Sequence, residues 1–336
     1  VHQPFQVDTV TQVMPVKTPA GYLYPNPIGS GTTNNPNANL VQTTMWMSYS
    51  TYNSLQAEVV KRMSHGVQLQ GSFTWSKTID TSSGSFAGDN YSESYSNLPW
   101  FDLNLDRGLA DFDVGRNLVV NALWDVPAPK SLSGPAGWLA KGWELGGILS
   151  LSDGVPFTPT LGQEGDPQGT LSGEPWQVPD VVASSACKPL INTGNPNAYV
   201  KANCFTIPSA PSLGYWSANC DPNPPISPTG GRVPVPFPQC WNLLGNAGRN
   251  IMVGPGLADL DFSLLKDNRV PRISENFDIQ FRAEFFNILN RANFAPPPEN
   301  NLEAIDATGA AVPGFGAITS TQQSSREIQF AIKVIW

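Results

Sequence analysis

The sequence has little charge, almost no histidine and no long apolar run. Only 14% of its 336 residues are charged, against roughly 25% in an ordinary soluble domain. No stretch of about 18 uncharged apolar residues occurs, so no helix can cross a bilayer. The mean hydropathy of -0.20 is also unlike that of an inner-membrane protein. His2 and His65 are the only histidines, and His65 sits before Gly66, where a tight turn is expected. The GxSxG, GxxxxGK[ST] and HExxH patterns are missing. These absences exclude the common hydrolase, nucleotide and zinc chemistries, and neither enzyme activity nor a cofactor is expected. A net charge of -8 argues against nucleic acid as a partner. The chain starts at Val1 without the basic and apolar regions of a signal peptide, so it is expected to be the downstream part of a longer protein.

What the sequence does have is 32 Pro and 30 Gly, which excludes a helix bundle. It also has long segments that alternate apolar and polar residues, the strand signature. The clearest run over 67–79, 117–126, 143–152, 277–289 and 328–336. Two less regular ones run over roughly 49–63 and 257–267. In 277–289, Phe277, Ile279, Phe281, Ala283, Phe285 and Leu289 oppose Asp278, Gln280, Arg282 and Glu284. Several of these strands reach ten residues. Ordinary strands average about 5–6, whereas a tilted strand of about 9–11 spans a bilayer. The expected fold is therefore all-β: part of a transmembrane antiparallel β-barrel, with about seven or eight strands of a larger one. A sandwich would use shorter strands with the polar face outward.

The connections alternate in length. Short ones fall at Ser64–Gly66, 127–141 and 267–274; long ones fall at 80–110, 162–250 and 291–314. Outer-membrane barrels have short periplasmic turns and long outer loops. If the last strand runs inward to Trp336, every long loop is outside, loops 81–108 and 162–250 included. Residues 1–44 read as an outer loop or weak strand region (Phe5–Val13 at most), and 45–336 as the barrel segment. Two aromatic girdles are expected: Trp124, Trp143, Phe277 and Trp336 at inner strand ends, and Tyr52, Trp75, Phe157 and Phe285 at outer ends. Glu58, Arg62, Glu144, Arg282, Glu284 and Lys333 fall on polar faces and are expected to line the lumen, because lipid would penalise them. A sheet of so few strands leaves two unpaired edges, so this chain alone is expected to form an open sheet and no sealed pore.

Other carboxylates allow weaker readings. Asp111 with Asp113, and Asp259 with Asp261, share a strand face and could act as acid and base, although polar rim residues explain them better. Asp102, Asp106, Asp111 and Asp113 could bind Ca²⁺, but the spacing is not that of an EF-hand. Cys187, Cys204, Cys220 and Cys240 share one loop without a CxxC pair. Two disulfides and an oxidising compartment are expected, over the alternative of four free thiols. Three connectivities exist, the simplest being Cys187–Cys204 with Cys220–Cys240.

Several words resemble a known family. They include Tyr52-Asn53-Ser54-Leu55-Gln56, Phe73-Thr74-Trp75-Ser76-Lys77 with Ile79-Asp80, Asp111-Phe112-Asp113 with Arg116-Asn117, and Gly154-Val155-Pro156-Phe157. The best are Gly248-Arg249-Asn250 with Gly254-Pro255-Gly256, then Phe281-Arg282-Ala283-Glu284-Phe285-Phe286-Asn287 and Arg326-Glu327-Ile328-Gln329-Phe330. In order and spacing these resemble the C-terminal barrel of Oar-like TonB-dependent outer-membrane receptors, over most of residues 45–336. The resemblance implies a barrel of about 22 strands around an N-terminal plug, in the outer membrane of a Gram-negative bacterium, taking up a solute that the sequence does not identify. The plug and a carboxypeptidase-regulatory-like domain are missing from this sequence, so TonB would be reached only through a region outside it. The last strand, with Ile328, Phe330, Ile332, Val334 and terminal Trp336 on one face, resembles the signal read by the outer-membrane assembly machinery. Outer-membrane lipid is the other expected partner. The alternatives are a passive porin or structural surface protein, and a secreted β-sandwich binding module.

Overall fold

A computed structural model describes residues 2–8, 16–18, 21–23, 42–83, 103–161, 178–206, 245–270, 273–274, 277–305 and 310–336, with side chains from Ser48 onward except at Glu299. Eight strands form one antiparallel sheet in chain order: β1 (His2–Asp8), β2 (Gln42–Ser64), β3 (Val67–Asp80), β4 (Arg116–Asp125), β5 (Trp143–Ser152), β6 (Leu257–Arg269), β7 (Asp278–Phe286) and β8 (Glu327–Ile335). The short pair Gly108–Leu109 adds to the end of β3. Among the described residues, β1 pairs only with β2 and β8 only with β7, so the sheet is open at both edges.

The alternation that marks each strand becomes one continuous face because the registers match apolar to apolar. Leu55 lies opposite Trp75, Phe73 opposite Leu118, Leu118 opposite Leu151, and Leu149 opposite both Val120 and Leu260. Phe262 then meets Phe285, and Phe285 meets Ile328. A one-residue slip in any pairing would turn that strand's apolar set to the polar side. Among the described residues no second layer covers this face: Val59, Phe330 and Ile332 are 62%, 68% and 72% exposed. A sandwich would bury them, so the sandwich reading fails.

The ends of the sheet differ. At one end lie Gly66, the 126–142 connection, Val270 bonded to Phe277, and Trp336. His65 and Gly66 take positive φ values of 55° and 75°. A Cβ on Gly66 would come within 2.8 Å of the Asp125 carbonyl oxygen, so this hairpin needs glycine there. The 126–142 connection carries a short helix, α1 (Gly134–Ala140). Its end caps Lys266, which alternation places on the apolar face. The Lys266 ammonium donates to the carbonyls of Trp138 and Lys141 at 2.8 and 2.6 Å and to Asn268 Oδ1 at 2.9 Å. It also lies 5.0 Å from the Trp143 ring centroid. Lys61 behaves likewise, donating to the Ser64 and Val67 carbonyls. Both lysines carry their charge to the end of the sheet, as snorkelling side chains do.

The opposite end carries the long connections, and there the molecule has its hydrophobic core. Phe157, Leu161, Tyr199, Val200, Phe205, Met252, Leu302, Ile305 and Phe315 are buried together, with Cys187 and Cys204 among them. Small ladders tie this cap: 156–157 with 252–253, 160–161 with 303–305, and 180–181 with 205–206. Cys187 and Cys204 form a disulfide with Cα atoms 5.5 Å apart. Cys220 and Cys240 lie outside the described residues.

Some positions differ from the expectation. Phe157 is buried in the cap and not placed in a girdle. Tyr52 lies opposite Thr78 on the polar face, while Trp75 faces the apolar side. Trp124 and Trp336 are exposed at the short-turn end as expected of girdle residues. β7 stops at Phe286, before Leu289, because Asn287 and Asn290 take φ values of 47° and 49° and turn the chain. β2 starts at Gln42, ahead of the expected position 49, where the Thr-rich run has no apolar rhythm. The weak first strand ends at Asp8.

Candidate functional site

Two features of the sheet have functional meaning: its polar face and the seam that joins the cap to the strands. Glu58, Glu144, Arg282, Glu284 and Lys333 all stand on the polar side. The registers place Glu58 opposite Ser72, Glu144 opposite Asp125, Arg282 opposite Leu265 and Lys333 opposite Gln280. Glu58 accepts from Gln70 Nε2 at 3.1 Å, and Arg282 meets Glu284 at 3.6 Å. Arg62 lies at the register shift between Lys61 and Ser64. On β8, Ile328, Phe330, Ile332 and Val334 share the apolar face, with Trp336 just beyond the strand.

The seam is built around Arg249. Its guanidinium, 9% exposed, makes ion pairs with Asp80 and Asp111. It also donates to Ser83 Oγ at 3.0 Å, to the Asp80 carbonyl at 3.1 Å and to the Asp106 carbonyl at 2.9 Å. The planar fork of arginine suits this demand; a lysine would offer fewer fixed donors. Asn250, at φ 57°, turns its amide onto the Leu109 carbonyl and Asp111 Oδ1. Its backbone N–H donates to Thr158 Oγ1 at 2.9 Å. Asp113 accepts from the backbone N–H of Thr78. The backbone passes so close that a Cβ on Gly108 would lie 2.5 Å from the Arg249 carbonyl oxygen. Three separate chain segments are thus locked to the end of β3.

Asp111 and Asp113 are bound by Arg249 and the β3 backbone. Among the described residues no group of three or more His, Cys, Asp or Glu side chains is placed to hold a metal ion, and Asp102 lies outside them. The Asp111 carboxyl is pushed up mainly by burial, with Arg249 pulling it back. Burial pushes the Asp106 carboxyl up to about 7, against a weaker pull from Arg249; its Oδ2 is enclosed without a partner.

Asp106 therefore holds a proton in the folded cap over a range where the unfolded chain has lost it. Its contribution is fully present below the ordinary carboxyl value of 3.8 and is lost as pH rises through about 7. The seam should loosen over that window. The Asp106→Asn variant should flatten the pH dependence of amide exchange at Arg107, whose N–H donates to the Asn104 carbonyl. A slope unchanged by the substitution would remove Asp106 as the cause.

A family model for an outer membrane beta barrel domain matches residues 2–329. The chain belongs to that family. It is therefore an outer-membrane barrel protein, and its exposed apolar face is the surface that meets lipid while the polar face turns to the lumen. Comparisons with curated proteins and with solved structures gave no match. In the barrel, the seam stands at the end of the wall opposite the short turns. Sequence reading singled out Arg249 and Asp80 only as words of a resemblance, and Asp111 otherwise only as a carboxylate for acid–base or Ca²⁺ chemistry. Nothing in their spacing announces that they meet, since Arg249 lies 169 residues from Asp80 and 138 from Asp111.

Proposed function

We propose that this chain is the C-terminal barrel portion of a TonB-dependent receptor that takes up a solute across the outer membrane of a Gram-negative bacterium. The observation that supports this reading is the seam. The words that resemble Oar-like receptors, those holding Asp80, Asp111, Arg249 and Phe157, meet at one rim and fix a packed cap over the long-loop end. A packed cap suits capture of a scarce solute. On this reading the chain is not an enzyme. Its partners are outer-membrane lipid, the assembly machinery reading the β8 face and Trp336, and TonB through a plug outside this sequence.

Planar-bilayer conductance and TonB cross-linking of the full-length protein test the proposal. A filled receptor should show no steady conductance and should cross-link to TonB. Steady ohmic conductance without cross-linking would make the protein a passive porin and overturn the proposal.

A further inference from the structure

At the long-loop rim, the β6–β7 ladder ends at the pair Phe262 and Phe285, which lie on the apolar face. Beyond it the regular ladder gives way to single hydrogen bonds. The Ile288 N–H reaches the Leu260 carbonyl at 2.9 Å, and Asn287 turns the chain aside. On the polar, lumenal side of this end lies a pocket of about 410 Å³ lined by Asp259, Asp261, Phe286, Asn287, Gln323, Ser324, Glu327 and Gln329.

Its chemistry is one-sided. Three carboxylates, Asp259, Asp261 and Glu327, face a space without a cationic side chain in its lining, and among the described residues none of the three is in an ion pair. Two arginines on these elements are engaged elsewhere: Arg282 meets Glu284, and Arg326 Nη1 points to the Ile288 carbonyl at 3.5 Å. Asp261 Oδ1 accepts from the Asn287 N–H at 2.9 Å. Asp259 is only 8% exposed. Its Oδ2 accepts from Gln323 Nε2 at 3.1 Å, but its Oδ1 is enclosed with no partner. An unpaired buried carboxylate oxygen is costly.

The fourth wall is aromatic. Phe286 stands directly opposite Glu327, on the side where its neighbour Glu284 and the next β8 residue, Gln329, are polar, and it is 36% exposed. An exposed ring beside carboxylates suits a cation that also presents hydrocarbon, through charge pairing and cation–π attraction. A hydrated inorganic ion would gain nothing from the ring, and the carboxylates are not clustered as metal ligands.

We infer that this pocket binds an organic cation, a primary amine or guanidinium on a short aliphatic stem, as the recognition point for the solute. The inference rests on the receptor reading given above and adds the class of solute.

Titration calorimetry of the full-length protein in detergent micelles, with agmatine as the probe and uncharged butylurea as its control, tests it. Agmatine should bind saturably and butylurea should not. Glu327→Gln, at an exposed position that cannot unfold the strand, and Asp259→Asn should each weaken agmatine by about tenfold or more, and Phe286→Leu by severalfold. Asp125→Asn, near the short-turn end of the same face, should leave binding unchanged. No saturable binding, equal affinity for butylurea, unaltered affinity in Glu327→Gln or full displacement by equimolar Mg²⁺ would each overturn the assignment. Binding here does not depend on TonB. Loss of the site with TonB cross-linking intact defeats only this inference, while agmatine binding by a freely conducting pore defeats only the receptor reading.

Discussion

Replacing Arg249 with Met should release the cap from the end of β3. Hydrogen exchange at the Ala110, Asp111 and Asn250 amides should speed up by about 10²–10³-fold. These N–H groups donate to the Thr78 carbonyl, Ser83 Oγ and Thr158 Oγ1 across the seam. The size follows from the charges left behind. Asp80 is fully buried, and Arg249 is its ion-pair partner. Removing one member of a buried pair costs about 3–5 kcal/mol, and each 1.4 kcal/mol is about tenfold in an opening equilibrium. Arg249→Lys should recover only part of the loss, because an ammonium cannot reach Asp106, Asp80, Ser83 and Asp111 in one fixed plane. Protection unchanged in Arg249→Met would show that the apolar core alone holds the cap.

Putting an arginine at Leu149 should destabilise the barrel by about 2–4 kcal/mol, the cost of a guanidinium near the bilayer midplane. Leu149 is mid-strand on β5, flanked across both ladders by Val120 and Leu260, so the new charge meets no partner. It is also too far along the strand to use the escape open to Lys61 and Lys266. The same substitution one residue on, Ser150→Arg, points to the lumenal face between Val119 and Asp259 and should cost under about 1 kcal/mol, because a wet lumen tolerates charge. Urea titration of folding into phosphatidylcholine vesicles measures both. Equal losses would mean that the two faces have been assigned to the wrong solvents.

Some of this structure was written locally. Each strand meets lipid on one side and water on the other, so its solvents impose a two-residue rhythm that any ten-residue window contains. Val67 to Ile79, Leu118 to Trp124 and Ile328 to Val334 were therefore legible, as was the alternation of short and long connections. Where the rhythm is absent, as in 42–48, or runs past a turn, as at Leu289, the bounds shifted. Tyr52 and Phe157 were misplaced because an aromatic ring by itself says nothing about which surface it joins.

By itself the sequence determined the all-β class, seven of the eight strands, their two faces and the order in which they pair, because those follow from nearest-neighbour alternation and connection length. Only the tertiary structure decided that the loops make a core of their own, that Arg249 gathers Asp80 and Asp111, and that Asp259, Asp261, Phe286 and Glu327 enclose a pocket. Those contacts join segments far apart in the chain through single charges and ring edges. Their geometry depends on where three strands end, and no period in the sequence records it.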